Sequence, residues 1–281
     1  MQMNSALHTD LAKRRYSYSA LSQWLICQRR FYWGYVRGLV PDAPAPALHF
    51  GQAIHAGLAA WFDRRTTEAM LEAFHKGMEG APTDLLRTPA KGELILKGYI
   101  KQWPIEPFKV LENETEFEEV MPDGSTLIGR IDRIIEWDGR LLVMESKTTS
   151  GGLGASYFKQ FSPNIQIDIE CFAVARHYGH CEGALIDALQ VCKTKEGYAR
   201  DVQDRTPEDL QRFEARYRRI VHDLEAAAHI GEGREPYLQN QMMCTYYGEC
   251  PYRKLCLYNN DGLIEGHYRP RHEEVSHVAL E

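Results

Sequence analysis

The stretch Gly129-Arg130-Ile131-Asp132-Arg133-Ile134-Ile135-Glu136-Trp137-Asp138-Gly139-Arg140-Leu141-Leu142-Val143-Met144-Glu145-Ser146-Lys147-Thr148 reads as two strands joined by a tight turn. Apolar residues run toward Asp138-Gly139 from both sides, and Asp-Gly is a dipeptide that tolerates the positive φ angles a two-residue hairpin turn requires. Asp132 and Glu145 stand equally far from the centre of that turn. They therefore oppose one another on the same face of the sheet, with β-carbons about 4.5 to 5.5 Å apart, and like charges at that spacing are destabilising. The simplest compensation is a divalent cation coordinated by both carboxylates. Lys147 lies two residues beyond Glu145, so strand alternation puts it on the same face. There an ammonium can orient an attacking water or neutralise charge building on a phosphate. Asp, Glu and Lys alone leave open an exposed acidic hairpin in which Lys147 is only a salt-bridge partner. Leu141, Leu142, Val143 and Met144, however, make the second strand too apolar for an open edge.

Outward from the hairpin, the strand-like alternation extends back to Phe108 and includes a second turn at Pro122-Asp123-Gly124, which predicts a meander. Upstream the period is helical. A helix over 19–35 is predicted from Ser19 as its cap and from Leu21, Trp24, Leu25 and Phe31, with further helices over 51–64, 66–79 and 91–103 and a loop from Val40 to Pro46. Downstream, the pattern predicts a helix over 164–178, a buried strand from Gly183 to Cys192 and a helix over 207–229. Thr206, Pro207 and Asp209 mark the start of that last helix and Gly231 its end. The expected fold is a mixed α/β domain with a central β-sheet flanked by helices. It divides into a helical part over 1–104, a catalytic sheet core over 105–200, and a C-terminal helix with a cysteine-rich tail over 201–281.

The composition, 44% hydrophobic and 26% charged, suits a soluble globular chain that can bury a sizeable core. No apolar run is long enough to span a membrane and no secretory leader precedes the first helix, so a cytoplasmic location is expected. The seven cysteines are scattered, which points to reduced thiols or metal ligands rather than a disulfide framework. A net charge of −6 speaks against a protein that coats nucleic acid by bulk attraction, although local patches can still hold phosphates. Lys13-Arg14-Arg15, Arg29-Arg30 with Arg37, and Arg216 with Arg218 and Arg219 are such patches, or else solvated faces.

With the hairpin in place, the sequence resembles a known family. Gly129-Arg130-Ile131-Asp132 followed by Glu145-Ser146-Lys147-Thr148 looks like the core of the PD-(D/E)XK nucleases, in the branch that contains the RecB and AddB nuclease domains. Gly51-Gln52-Ala53-Ile54-His55 resembles the G-x-x-x-H helix of that branch, and Gln166 stands where its Q-x-x-x-Y helix begins. The resemblance implies Asp132, Glu145, Lys147 and Gln166 as catalytic residues, and His55, Asp132, Glu145 and Ser146 as ligands of one or two Mg²⁺ or Mn²⁺ ions. An imidazole among carboxylates admits the softer Mn²⁺. Two departures stand out. Glu170 occupies the tyrosine position of the Q-x-x-x-Y helix, and Ile131 takes the place of the usual proline before Asp132.

The tail places Cys244, Cys250 and Cys256 close together in sequence, with aromatics and a proline between them. Such crowding suggests one metal centre. A tetrahedral sulfur site needs a fourth ligand, for which Cys27 on the first helix is the candidate. One cysteine near the N-terminus and three near the C-terminus resembles the iron-sulfur staple of AddB and of CRISPR-associated nucleases, which implies a 4Fe-4S cluster; Zn²⁺ is the competing occupant. Cys171, Cys181 and Cys192 are expected in the core.

The expected activity is hydrolysis of DNA phosphodiesters. The segment Arg14-Arg15-Tyr16-Ser17-Tyr18, with Arg30, suits stacking and phosphate contact with single-stranded DNA or duplex ends, which predicts an exonuclease. The chain has no G-x-x-x-x-G-K-[ST] stretch, so any motor would come from a separate helicase or recombination protein. The pattern also resembles compact nucleases encoded by bacteriophages. A non-cleaving DNA-binding or partner module on the same scaffold, and an RNA nuclease, are the alternatives the residues leave open.

Overall fold

The computed structural model describes residues 9–42, 45–194, 196–231, 233–246, 248–258 and 261–271. In chain order the first elements are β1 (Arg15–Ser17), α1 (Tyr18–Ile26), α2 (Gln28–Phe31), a π-helical turn (Tyr32–Val36) and β2 (Leu39–Pro41). Three helices follow, α3 (Pro46–Arg64), α4 (Thr67–Met78) and α5 (Pro89–Gln102), and then three strands, β3 (Lys109–Val120), β4 (Thr126–Trp137) and β5 (Arg140–Thr149). The chain continues through α6 (Ala155–Phe158), α7 (Ile165–Tyr178), β6 (Gly183–Gln190), β7 (Gly197–Asp204) and α8 (Pro207–Ile230), and closes with α9 (Arg253–Tyr258) and β8 (Tyr268–Pro270). No helix among the described residues is long and apolar enough to cross a membrane.

The chain forms two compact units, each assembled from separated segments. One comprises Pro44–Phe117 and Arg130–Phe213, the other Met1–Ala43, Glu118–Gly129 and Glu214–Glu281.

In the first of these units β4 and β5 form the expected hairpin, in the expected register: Arg133 opposes Met144 and Trp137 opposes Arg140. Asp138 and Gly139 both take positive φ, 50° and 74°, the signature of the type I′ turn whose twist matches that of the strands it joins. Next to β5 runs β6, parallel, with Glu145 beside Ile186 and Lys147 beside Ala188, and α7 supplies the crossover between them. β7 adds to β6 in antiparallel orientation. One face of the sheet, carrying Ile135, Leu142, Met144, Leu185 and Leu189, packs with Phe50, Ile54 and Leu58 of α3, Met70 and Phe74 of α4 and Ile95 and Leu96 of α5. By alternation Val143, Glu145 and Lys147 point to the other face, where α7 packs.

Close approach of the helices depends on small residues. A β-carbon added at Gly92 would sit only 2.0 Å from Cζ of Phe74, whose ring is fully buried. Gly92→Ala is therefore expected to destabilise the protein by about 2 kcal/mol, an overpacking penalty readable in a thermal or denaturant melt. A melt superimposable on wild type would show that this contact is slack.

In the second unit β1 pairs in parallel with Thr126–Ile128 of β4. The first helix is capped by Ser17, not by Ser19. Ser17 ends β1 in extended conformation, and its hydroxyl accepts from Ala20 N. The expected helix over 19–35 is interrupted at Cys27, which is itself extended, and resumes as α2 and the π-helical turn. The stretch from Val40, expected to be a loop, begins within β2, which pairs with β8. Trp24 packs edge-on against Phe31 and Tyr237, with ring centroids 5.5 and 6.2 Å away.

Candidate active site

The β4–β5 ladder ends where Arg133 opposes Met144. The next inward amide, Ser146 N–H, donates to Asp132 Oδ2 at 2.9 Å, so the carboxylate occupies the place of a ladder carbonyl and the two strands part there. Into this opening α3 presents His55, whose Nδ1 lies 3.1 Å from Asp132 Oδ2. Gly51, one turn earlier on α3, explains how the helix comes so near: a β-carbon there would sit 3.3 Å from Thr148 Oγ1, close to the limit of van der Waals contact.

Glu145 is 3% exposed, and its Oε1 accepts from Lys147 Nζ at 2.6 Å and from Gln166 Nε2 at 2.7 Å. Lys147 Nζ also donates to Gln166 Oε1 at 2.8 Å. Gln166 is held in the first turn of α7 because Asn164 caps that helix, accepting from the Gln166 and Ile167 amides at 2.9 and 3.3 Å. One turn further along α7, Glu170 Oε1 accepts from Gln166 Nε2 at 2.8 Å. The structure thus brings together His55, Asp132, Glu145, Ser146, Lys147 and Gln166, and adds Glu170.

Burial opposes protonation of His55, but the Asp132 carboxylate outweighs it and lifts the imidazole above its ordinary pKa. Burial likewise opposes ionisation of Asp132, while His55, Arg133 and the Ser146 amide hold its carboxyl well below the usual range. Lys147 is raised, since Glu145 and Glu170 overcome the cost of burying its charge. Glu170, buried and facing Glu145, is pushed well above the ordinary carboxyl value. Among the described residues no three His, Cys, Asp or Glu side chains stand ready as a metal-ligand array. The potential donors are instead engaged with one another, His55 with Asp132 and Glu145 with Lys147 and Gln166. Carboxylate oxygens and one imidazole nitrogen nevertheless form a donor set whose chemistry suits Mg²⁺ or Mn²⁺.

Arg133 was not anticipated from the sequence. It is 1% exposed, its guanidinium donates to Ser146 Oγ, lies 3.8 Å from Asp132 Oδ2 and stacks on the Phe62 ring. The available signal was an arginine next to Asp132 in a strand whose other residues from Ile131 to Ile135 are isoleucines, because burying an arginine needs a partner. Glu114 is a second addition. It adopts φ 52° within β3, pairs with Arg130 at 3.0 Å and is raised by burial, with Asp132 adding to the shift.

The residues read as a single-strand contact lie in the other unit and are engaged there. Tyr16 is 1% exposed and its hydroxyl donates to Glu225, so its ring is not presented for stacking on a base. Arg14 pairs with Glu225 at 2.7 Å, Arg15 pairs with Glu118, and Ser17 is the helix cap. Arg30 lies near Cys250, whose thiol is pushed up by burial against the opposing pull of the Arg30 charge. The four cysteines of the expected cluster are in this unit too. Cys27 Sγ accepts from Asn240 N at 3.3 Å and Cys256 Sγ from Trp33 Nε1 at 3.4 Å, the latter residue being carried by the π-helical turn. Gln239 Nε2 donates to Cys244 Sγ at 3.7 Å, and Cys250 N donates to the Cys244 carbonyl. Cys171 and Cys181 are buried as expected, whereas Cys192 is half-buried.

Among solved structures, the chain is similar to a crystal structure from Eubacterium rectale provisionally assigned as an exonuclease. The two share 15% identity at a TM-score of 0.51, over 80% of this chain and 88% of that one. A likeness to the crystal structure of SSO0001, 14% identical, has a TM-score of 0.37 and covers 89% of this chain and 88% of that one. No curated protein sequence matches. The sequence profile of the PD-(D/E)XK nuclease superfamily matches residues 15–257, a span that contains every residue of the site just described. The chain belongs to the PD-(D/E)XK nuclease superfamily.

Proposed function

We propose that this nuclease is a Mg²⁺- or Mn²⁺-dependent deoxyribonuclease of the RecB/AddB-like branch that acts as an exonuclease on DNA ends or single strands. The observation that carries the reading is the convergence of Asp132, Glu145 and Lys147 on one buried corner of the sheet, with His55 and Gln166 completing it. An intact acid, acid and lysine set favours cleavage over a non-cleaving binding module.

Asp132, Glu145 and His55, with Ser146 beside them, would hold the divalent ion, which when bound supplies a Lewis acid and a water of lowered pKa beside the scissile phosphate. Ser146 N–H and Arg133 keep Asp132 ionised and oriented. Lys147 has two of its three N–H donors fixed by Glu145 and Gln166, so the direction of the remaining one is set in advance for a water or a phosphate oxygen. Pre-set orientation is what lets such a group act without reorganising during the reaction.

For the cysteines we propose that Cys27, Cys244, Cys250 and Cys256 hold a 4Fe-4S cluster, with Zn²⁺ as the competing occupant. Support comes from the resemblance and from N–H donors that reach three of the four sulfurs, Cys27, Cys244 and Cys256. A separate helicase or recombination protein would supply any motor, and a role in recombination, repair or phage DNA processing follows from the same reading.

The test is cleavage of end-labelled linear DNA, closed circular DNA and RNA, each with Mg²⁺ and with Mn²⁺. Linear DNA is expected to be degraded from its ends and closed circles spared. Cutting of closed circles would replace the exonuclease with an endonuclease, preference for RNA would change the substrate class, and inactivity on all of them would favour the binding module.

A further inference from the structure

Glu170 lies on α7 where the family pattern has a tyrosine, and nothing in the chemistry above requires it. It is 3% exposed, and among the described residues its Oε2 has no hydrogen-bond partner. A carboxyl group in that setting is costly, and an apolar side chain of similar volume would be at least as stable there. Such a placement points to a use.

The use follows from the hydrogen bonds of Gln166. A carboxamide has a donor end and an acceptor end and can turn over. Here the donor end is divided between Glu145 Oε1, at 2.7 Å, and Glu170 Oε1, at 2.8 Å, while the acceptor end takes the Lys147 ammonium at 2.8 Å. Turning the amide over would set its carbonyl against two carboxyl oxygens and its NH₂ against an ammonium. With Glu145 as the sole acceptor one N–H would be left without a partner and the amide could tilt. Glu170 occupies that second hydrogen, so the whole group is immobilised.

We infer that Glu170 is a positioning residue that acts through Gln166: it fixes the Gln166 carboxamide, and the carboxamide fixes the direction in which Lys147 presents its ammonium to the scissile phosphate. The inference rests on the nuclease reading for its catalytic consequence, though not for the hydrogen-bond geometry itself. Glu170 neither touches substrate nor holds the ion in this account.

The full-length protein carrying Glu170→Met tests it against Glu170→Gln, which keeps an acceptor facing Gln166; Glu170→Leu replaces the Met variant should that one fail to fold. Turnover of linear DNA is expected to fall about 10-fold or more in the Met variant, the usual effect of removing a group that orients an active-site side chain, and to be largely restored in the Gln variant. Mn²⁺ affinity, measured by calorimetry without substrate, is expected to be unchanged. In protein labelled with ¹⁵N-glutamine, with the Gln166 carboxamide assigned by its loss in Gln166→Leu, both side-chain protons are expected to exchange slowly in wild type and one to exchange faster in the Met variant. Full turnover in the Met variant, or undiminished protection of both protons, overturns the proposal. Loss of Mn²⁺ binding overturns it in favour of a direct ligand role. Should wild type cleave no nucleic acid, the nuclease reading fails, and the proton protection still decides the positioning claim.

Discussion

Asp132→Asn is expected to yield a folded protein that cleaves DNA slower by on the order of 10³-fold or more, because it removes one of the two carboxylates available to a divalent ion and with it several kcal/mol of transition-state stabilisation. Asparagine is chosen over alanine for a structural reason. Asp132 accepts the Ser146 amide where the ladder ends, and alanine would leave that N–H without its acceptor, at a cost of about 1 to 3 kcal/mol, and would take from the buried Arg133 the carboxylate 3.8 Å away. The amide oxygen of Asn can still accept from Ser146, so folding and chemistry separate. The comparison needs a melt, a Mn²⁺ titration and a cleavage assay on the same preparation. A loss of cleavage with Mn²⁺ binding and melting temperature both near wild type would assign Asp132 to orientation rather than to the ion. Undiminished cleavage would remove the whole corner of the sheet from the mechanism.

That corner was legible in the sequence because its geometry is governed by local rules. A type I′ turn at Asp138-Gly139 admits one pairing, and the pairing decides which acids meet; the observed register, Arg133 opposite Met144, is the one the turn dictates. The cap of α7 at Asn164, which delivers Gln166, is equally local. Where sequence reasoning fell short, the interactions join distant segments. β7 escaped notice because its Arg200 and Asp201 look like solvated charges, yet Arg200 is buried between Asp187 and Glu106, at 2.9 and 2.6 Å, and lies over the Trp103 ring. β2 escaped because its partner, β8, is at the far end of the chain. Tyr16 looked available for stacking because nothing near it in sequence covers it; the acceptor that ties it down, Glu225, is on α8. Alternation and caps can be read along a chain, whereas the burial of a polar residue depends on partners that only the fold supplies.

Removal of the cysteines proposed as cluster ligands is the second change expected to have a large effect, and it falls on stability rather than on chemistry. Cys27 follows α1, whereas Cys244, Cys250 and Cys256 are near the end of the sequence, so a cluster joining them would close most of the chain into a loop and restrict the unfolded state. Among the described residues the four sulfurs do not stand as a ready metal-ligand group. Burial pushes the Cys250 and Cys256 thiols up, which disfavours the thiolate form that a metal needs and that a bound metal would itself impose. Protein purified without oxygen is therefore expected to be coloured and to contain iron, and Cys256→Ser to bleach it. That variant should lower the melting temperature by about 5 °C, the shift that roughly 3 kcal/mol produces in a chain of this size. Cys192→Ser, at a half-buried thiol outside this set, serves as the control and is expected to change neither colour nor iron content. Stoichiometric zinc in place of iron would keep the loop-closing argument and change the occupant. Metal-free protein that melts as high as its Cys256→Ser variant would show four independent thiols, leaving Trp33 and Asn240 as ordinary weak donors to sulfur and the two ends of the chain held by β2, β8, the Trp24 aromatic contacts and hydrogen bonds such as Tyr16 to Glu225 and Tyr252 to the Leu39 carbonyl.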